Sequence, residues 1–234
     1  MGIDGVLFDY GRTLVTFRYP TDDLLQVLGE FRPRIQAALG VPTPEAETIL
    51  DDVLLPLEEY INSMSEDEVD YMDVYRDAWA HAGLRLPDGL LHEILDAEQR
   101  CWDRAVEVDA DAMRVLSLLG DRGIKRGVCS NAPFPPEMMR RQVKSNGIAD
   151  LVDAIVFSSE TGRRKPAPEV YRAAIEAIGT EPERTLFVGD RVREDYEGPR
   201  AAGMRAVIVI AHAEDELRDG VPTIASLAEL PSLL

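Results

Sequence analysis

Lysine, histidine and cysteine are all scarce in this chain, at three, three and two residues out of 234. Cys101 and Cys129 lack metal-type spacing and read as reduced, half-buried thiols, not as a disulfide framework. His81, His92 and His212 have no spacing that would bring two of them to one metal, so they read as surface or core residues. No apolar run approaches the roughly 20 residues needed to cross a bilayer. The N-terminus, Met-Gly-Ile-Asp-Gly-Val, lacks the basic flank and cleavage site of a signal peptide, so a cytoplasmic location is expected. A basic surface is missing as well. At a formal charge of −18 the chain should repel nucleic acid and anionic membranes, and neither is expected as a partner.

What is present is acid, unevenly placed. Residues 17–107 hold 21 acidic side chains against 7 arginines and no lysine, a net −14, while the remainder carries only −4. The stretch is therefore a different kind of surface from the rest. Its run Glu66-Asp67-Glu68, with Asp70 and Asp73, reads as a flexible, solvated surface. A hydrophobic content of 45% provides for a packed core, and the length allows a core domain with a smaller insertion.

Periodicity divides the chain in the same way. Ile3–Asp9 is a short apolar run ending in an acid and then Gly11, the mark of a buried strand. From about Asp22 to Arg104 the pattern is helical. One helix carries Leu24, Leu28, Ile35 and Leu39 with a break or kink expected at Pro33, and others are predicted over Glu45–Ile61, Tyr71–Ala82 and Gly89–Arg104. From Asp109 helices and strands alternate. Strands are predicted at Ile124–Cys129, Ala154–Phe157, Thr185–Val188 and Arg205–Ile210, and helices at Asp109–Arg122, from Pro136, at Pro168–Ile178 and at Glu194–Ala202. Such alternation implies parallel βαβ units, so the fold class is α/β, with the first strand joining the sheet across a helical insertion.

Ligands of an open parallel sheet bind outside the carboxyl ends of its strands. Those ends carry Asp9, Ser130 and Asp190, and Lys165 lies in the loop Gly162-Arg163-Arg164-Lys165-Pro166 after the third strand. Singly, each is an ordinary turn, cap or loop residue. Together they place two carboxylates, a hydroxyl and an ammonium at one sheet edge. Arg163, Arg164 and Arg191 are near by position, and at least two of them are expected to face solvent.

The ordered set Asp9-Tyr10-Gly11-Arg12-Thr13, Ser130-Asn131, Lys165-Pro166-Ala167-Pro168 and Gly189-Asp190 with Asp195 resembles the four motifs of the haloacid dehalogenase (HAD) superfamily. The resemblance implies a Rossmann-like core over residues 1–16 and 108–234, with 17–107 an inserted helical cap. It also implies a hydrolase, acting as a phosphatase or phosphotransferase on a small phosphorylated metabolite, as a monomer or homodimer. Asp9 would be the nucleophile that forms an aspartyl-phosphate. Mg2+ would be held by Asp9, the backbone carbonyl of Gly11 and Asp190, with Asp195 holding one of the metal's waters or orienting Lys165. Ser130 and the backbone N–H groups from Asn131 onward would bind phosphate oxygens, Lys165 would balance the charge, and Thr13 would brace the turn beside Arg12.

One position departs from that pattern. Phosphatases of the superfamily usually carry a second Asp, the general acid–base, where this chain has Gly11, and a glycine where it has Arg12. The related phosphonate hydrolases need a cap lysine, and residues 17–107 contain none. The dehalogenases proper lack the Gly-Asp of the fourth motif, which is present here. A phosphatase-like enzyme suited to activated esters such as acyl phosphates is the favoured reading, with a 2-haloacid dehalogenase-like hydrolase and a slow or inactive binding protein of the same fold as its alternatives.

Overall fold

The computed structural model describes residues 2–62, 65–213 and 219–234. From the N-terminus the elements are β1 (Gly5–Phe8), β2 (Val15–Phe17), α1 (Thr21–Leu39), α2 (Ala46–Ile49), α3 (Leu55–Ile61), α4 (Tyr71–His81), α5 (Asp88–Ala105) and β3 (Val106–Val108). Strands and helices then alternate through α6 (Ala112–Asp121), β4 (Lys125–Ser130), α7 (Pro136–Ser145), β5 (Ala154–Phe157), α8 (Ser158–Thr161) and α9 (Pro168–Ile178). The series closes with β6 (Thr185–Gly189), α10 (Gly198–Ala201), β7 (Arg205–Val209) and β8 (Thr223–Ile224). Two compact units result. One comprises Met1–Phe17, Ser65–Glu68 and Glu107–Leu234, and the other Arg18–Met64 and Val69–Val106.

The first unit is built on a parallel sheet in the order β5-β4-β1-β6-β7-β8. The strand that comes first in the chain is therefore central. From β1 the chain builds outward through β4 and β5 on one side, then returns to build β6, β7 and β8 on the other. That reversal is the switch point at which such sheets bind ligands, and Asp9 stands directly beyond it. Val6, Leu7 and Phe8 are all fully buried, because both faces of the strand are covered. On one face α9 lays Val170, Tyr171, Ala174, Ile175 and Ile178 against Leu7, Cys129, Phe187 and Ala206. Each large apolar side chain buried there contributes roughly 1.5–3 kcal/mol. Pro168 at its first turn starts α9, and Gly179, at φ 69°, ends it. The element that follows β6 differs from the α-helix expected over Glu194–Ala202. Val192–Glu197 is a π-turn that leads into the short α10.

The second unit is helical. α1 runs unbroken through Pro33, where a break was expected. Pro33 and Gly29, whose carbonyl loses its donor, are both exposed, so water can take the missing hydrogen bond. α2 and α3 are joined by the π-turn Leu50–Leu54. Tyr71 and Tyr75 stack at 5.9 Å, and Tyr75 meets Trp79 edge-on at 6.1 Å. The Tyr75 hydroxyl donates to buried Glu98 Oε1 at 3.0 Å. Among the described residues no helix is long and apolar enough to cross a membrane.

Candidate active site

Asp9 follows β1 and continues its ladder, its N–H donating to the Val188 carbonyl at 2.9 Å. The residue is 9% exposed. Its Oδ1 lies 2.9 Å from Lys165 Nζ. That is ion-pair distance, yet among the described residues no donor is aligned with Oδ1 for a hydrogen bond. The aligned bond of the ammonium goes instead to Asp195 Oδ1, at 2.6 Å. Lys165 also lies 5.1 Å from the centroid of the Phe187 ring, which adds a cation–π contact in a buried setting. Burial works against its charge, but the carboxylates of Asp195 and Asp9 outweigh it and hold the ammonium's pKa well above its ordinary value. Lys165 is therefore a fixed cation, not a base.

Asp195 reaches back over the loop after β6. Its Oδ2 accepts the N–H groups of Asp190 at 3.1 Å and Arg191 at 3.0 Å. A Cβ on Gly189 would sit 2.3 Å from Asp195 Cγ, so only glycine lets that side chain cross. The carboxylates of Asp9, Asp190 and Asp195 offer oxygens within 4.8 Å of one another. Burial, then repulsion from Asp9 and Asp195, pushes Asp190 up to about 8. Burial also lifts Asp195, to about 6, with Lys165 opposing. With all three acids ionised against one ammonium, two negative charges are in excess, and a divalent cation would offset them. All the donors are hard oxygens, one of them, Asp9 Oδ1, without a hydrogen-bond partner among the described residues, and that set suits magnesium.

The turn after Asp9 is compact. Leu14 and Val15 both donate to the Tyr10 carbonyl, at 2.9 and 3.1 Å, and the Arg12 N–H donates to Val15 O at 2.6 Å. Arg12 has φ 60°, the left-handed region, which costs a non-glycine residue about 1–2 kcal/mol. Thr13 is buried, and its Oγ1 has no hydrogen-bond partner among the described residues.

Ser130 closes β4 and is 6% exposed. The Asn131 side chain clamps the peptide of Lys165, its Oδ1 accepting from the Lys165 N–H at 2.7 Å and its Nδ2 donating to the Lys165 carbonyl at 3.2 Å. The Ala132 N–H, expected to face phosphate, is already committed to Ser158 Oγ at 2.8 Å. Two arginines also depart from expectation. Arg164 is buried and Arg163 half-buried, so of the three only Arg191 is exposed. Ser158 was missed from the sequence. It lies directly beyond β5, and the strand-end rule applied to β5 itself would have found it.

The comparisons with known proteins agree with this geometry. A family model described as a haloacid dehalogenase-like hydrolase matches residues 3–203. The chain is 33% identical over 117 residues to the phosphoglycolate phosphatase of Rhodospirillum rubrum, covering 50% of this chain and 46% of that one. It is 35% identical over 138 residues to the phosphoserine phosphatase of Thermus thermophilus, covering 58% and 53% respectively. The chain thus spans about half the length of these curated relatives. The 2-haloacid dehalogenase of Pseudomonas syringae pv. Tomato superimposes with a TM-score of 0.70 at 20% identity, over 99% of this chain and 97% of that one. That last likeness is one of fold.

Proposed function

Because the chain belongs to the haloacid dehalogenase-like hydrolases, we propose that it is a magnesium-dependent phosphatase or phosphotransferase for a small phosphorylated metabolite, working through Asp9. The observation that carries the reading is Lys165 Nζ, set 2.9 Å from Asp9 and 2.6 Å from Asp195, with Asp190 in the same acidic cluster. In this reading residues 1–16 and 108–234 are the catalytic core and 17–107 the cap insertion, in a cytoplasmic protein. The named relatives, a phosphoglycolate and a phosphoserine phosphatase, support a small phosphorylated metabolite as substrate.

Asp9, Asp190 and the Gly11 carbonyl would hold the metal, with Asp195 beside them. Bound there, it would neutralise the carboxylates and draw charge from the phosphoryl oxygens. An Asp9 carboxylate oxygen attacks phosphorus, the bond from phosphorus to the leaving oxygen breaks, and an aspartyl-phosphate forms. Water then attacks that phosphorus, frees inorganic phosphate and restores the Asp9 carboxylate, its protons passing to solvent. Ser130 binds a phosphoryl oxygen, and Arg12, on its strained turn, offers a guanidinium to the substrate. Lys165 balances the developing charge. Asn131 keeps Lys165 in place through its peptide, and Asp195 does so through its ammonium.

Gly11 sets the substrate class. An alkoxide needs a proton as it leaves, and a general acid supplies roughly 10²–10⁴ in rate. A carboxylate leaving from an acyl phosphate needs none. The test compares acetyl phosphate with an alkyl monoester in the presence of magnesium. Acetyl phosphate should be turned over much the faster, and Gly11→Asp should raise the monoester rate by about 10²-fold or more, a larger gain than for acetyl phosphate, which shares only the second, water-attack step. A Cβ on Gly11 would meet Phe17 Cε1 at 3.4 Å, an ordinary contact, so the backbone there tolerates a side chain. Equal rates on the two substrates, with no gain from Gly11→Asp, would remove the acyl-phosphate reading.

A further inference from the structure

The acidic run Glu66-Asp67-Glu68 is not loose surface. Ser65–Glu68 belongs to the unit that holds the sheet and lies antiparallel to the loop before Lys165. The Glu68 N–H donates to the Gly162 carbonyl at 3.1 Å, and the Arg164 N–H to the Glu66 carbonyl at 2.9 Å. Its charges are matched one by one. Glu66 meets Arg193 at 3.3 Å and Arg163 at 3.7 Å, and Asp67 pairs with Arg163. Those pairs are partly exposed and worth little. Glu68 differs, because its side chain is 1% exposed and that of Arg164, 3.6 Å away, is 9% exposed.

Glu68 Oε2 accepts the hydrogen of Ser158 Oγ. A serine hydroxyl has one hydrogen, so giving it to Glu68 turns a lone pair toward the Ala132 N–H, which donates to Oγ at 2.8 Å. Ser158 is fully buried, and no solvent can substitute. On its other oxygen Glu68 faces Arg164, the residue before Lys165. One carboxylate therefore ties together the two loops that carry Ser130-Asn131 and Lys165. We propose that Glu68 is a positioning residue, acting through Ser158 to hold the phosphate-binding loop in register with Lys165. The proposal rests on the phosphatase reading for its meaning, but not for its test.

Inorganic phosphate is the probe, titrated with magnesium present by calorimetry, beside KM and kcat for acetyl phosphate. Glu68→Ala removes the acceptor and should weaken phosphate binding and raise KM by about tenfold, with a smaller change in kcat. Glu68→Gln keeps an oxygen for Ser158 and should recover most of the affinity. Ser158→Ala should reproduce the Glu68→Ala defect, and the double variant should be no worse than either single one. Unchanged phosphate affinity in folded Glu68→Ala would overturn the proposal, as would additive losses in the double variant or a wild type that binds no phosphate. A wild type that binds phosphate but hydrolyses nothing, with Glu68→Ala binding it more weakly, would sink the hydrolase reading and leave this one standing.

Discussion

Both units bury carboxyl groups, and the company those groups keep is what differs. In the helical unit Glu98 is 4% exposed and takes one hydrogen bond, from Tyr75. Burial pushes it up to about 8, even though that hydrogen bond pulls the other way. Glu58 is likewise raised by burial, to about 7, with Tyr19 opposing. Around the sheet, Asp9, Asp190 and Asp195 are buried too, but as a cluster at strand ends with a fixed ammonium between two of them. A buried acid set among aromatic rings lowers its cost by keeping its proton. A cluster of acids can instead be relieved by a cation, and is then useful for chemistry. Desolvation alone would not tell a site from a structural acid. Neighbours do.

Three substitutions would break or sharpen that contrast. Asp9→Asn should have the largest effect, lowering turnover by at least about 10³-fold, because no carboxylate remains to attack phosphorus. Its thermal midpoint without metal should hold or rise, since one member of a repulsive cluster becomes neutral. Turnover assays with a beryllofluoride adduct test and a melting curve check both parts, and a marked loss of fold would mean the cluster is structural.

Glu98→Gln addresses the opposite case. Below about pH 4.5 the glutamate is protonated in both folded and unfolded chains, and it contributes no pH dependence. As pH rises from there toward about 8, the unfolded chain ionises while the folded one keeps its proton, so stability falls. Above about 8 the slope ends. The isosteric amide cannot ionise. It should match the wild type near pH 4.5 and exceed it by an amount on the order of a few kcal/mol at pH 9. Denaturant unfolding at several pH values measures this, and a gap that does not widen with pH would refute the burial account.

Arg12→Gly should have the smallest effect on stability, a gain of about 1 kcal/mol from relieving the left-handed backbone at φ 60°, partly offset by the freedom glycine adds to the unfolded chain. In the same variant KM should rise through loss of the guanidinium. A stabilised protein with unchanged KM would take Arg12 out of the substrate site.

Legibility from the chain varied with the physics of each segment. Ala154–Phe157 and Pro168–Ile178 were predicted to the residue, because the first is an apolar run between Asp153 and Ser158 and the second is opened by Pro168 and stopped by Gly179. The π-turn at Val192–Glu197 was not predicted, since a single turn of that register leaves no mark in the apolar period; it carries Asp195, whose side chain crosses Gly189. Pro33 misled because its cost depends on solvent reaching Gly29, which is a property of the folded helix.

By itself the sequence determined the α/β alternation and the strand ends that single out Asp9, Ser130, Lys165 and Asp190 as candidates, since these follow from local periodicity and residue chemistry, whereas Asp195 was singled out only by the resemblance to the fourth family motif. Only the tertiary structure decided that Lys165 bridges Asp9 and Asp195, that Asn131 grips the lysine's peptide, and that Glu68 is buried beside Ser158. A carboxylate 90 residues from its serine carries no local mark of that contact. Its burial is decided by which loops the sheet brings together, and by the arginines waiting there.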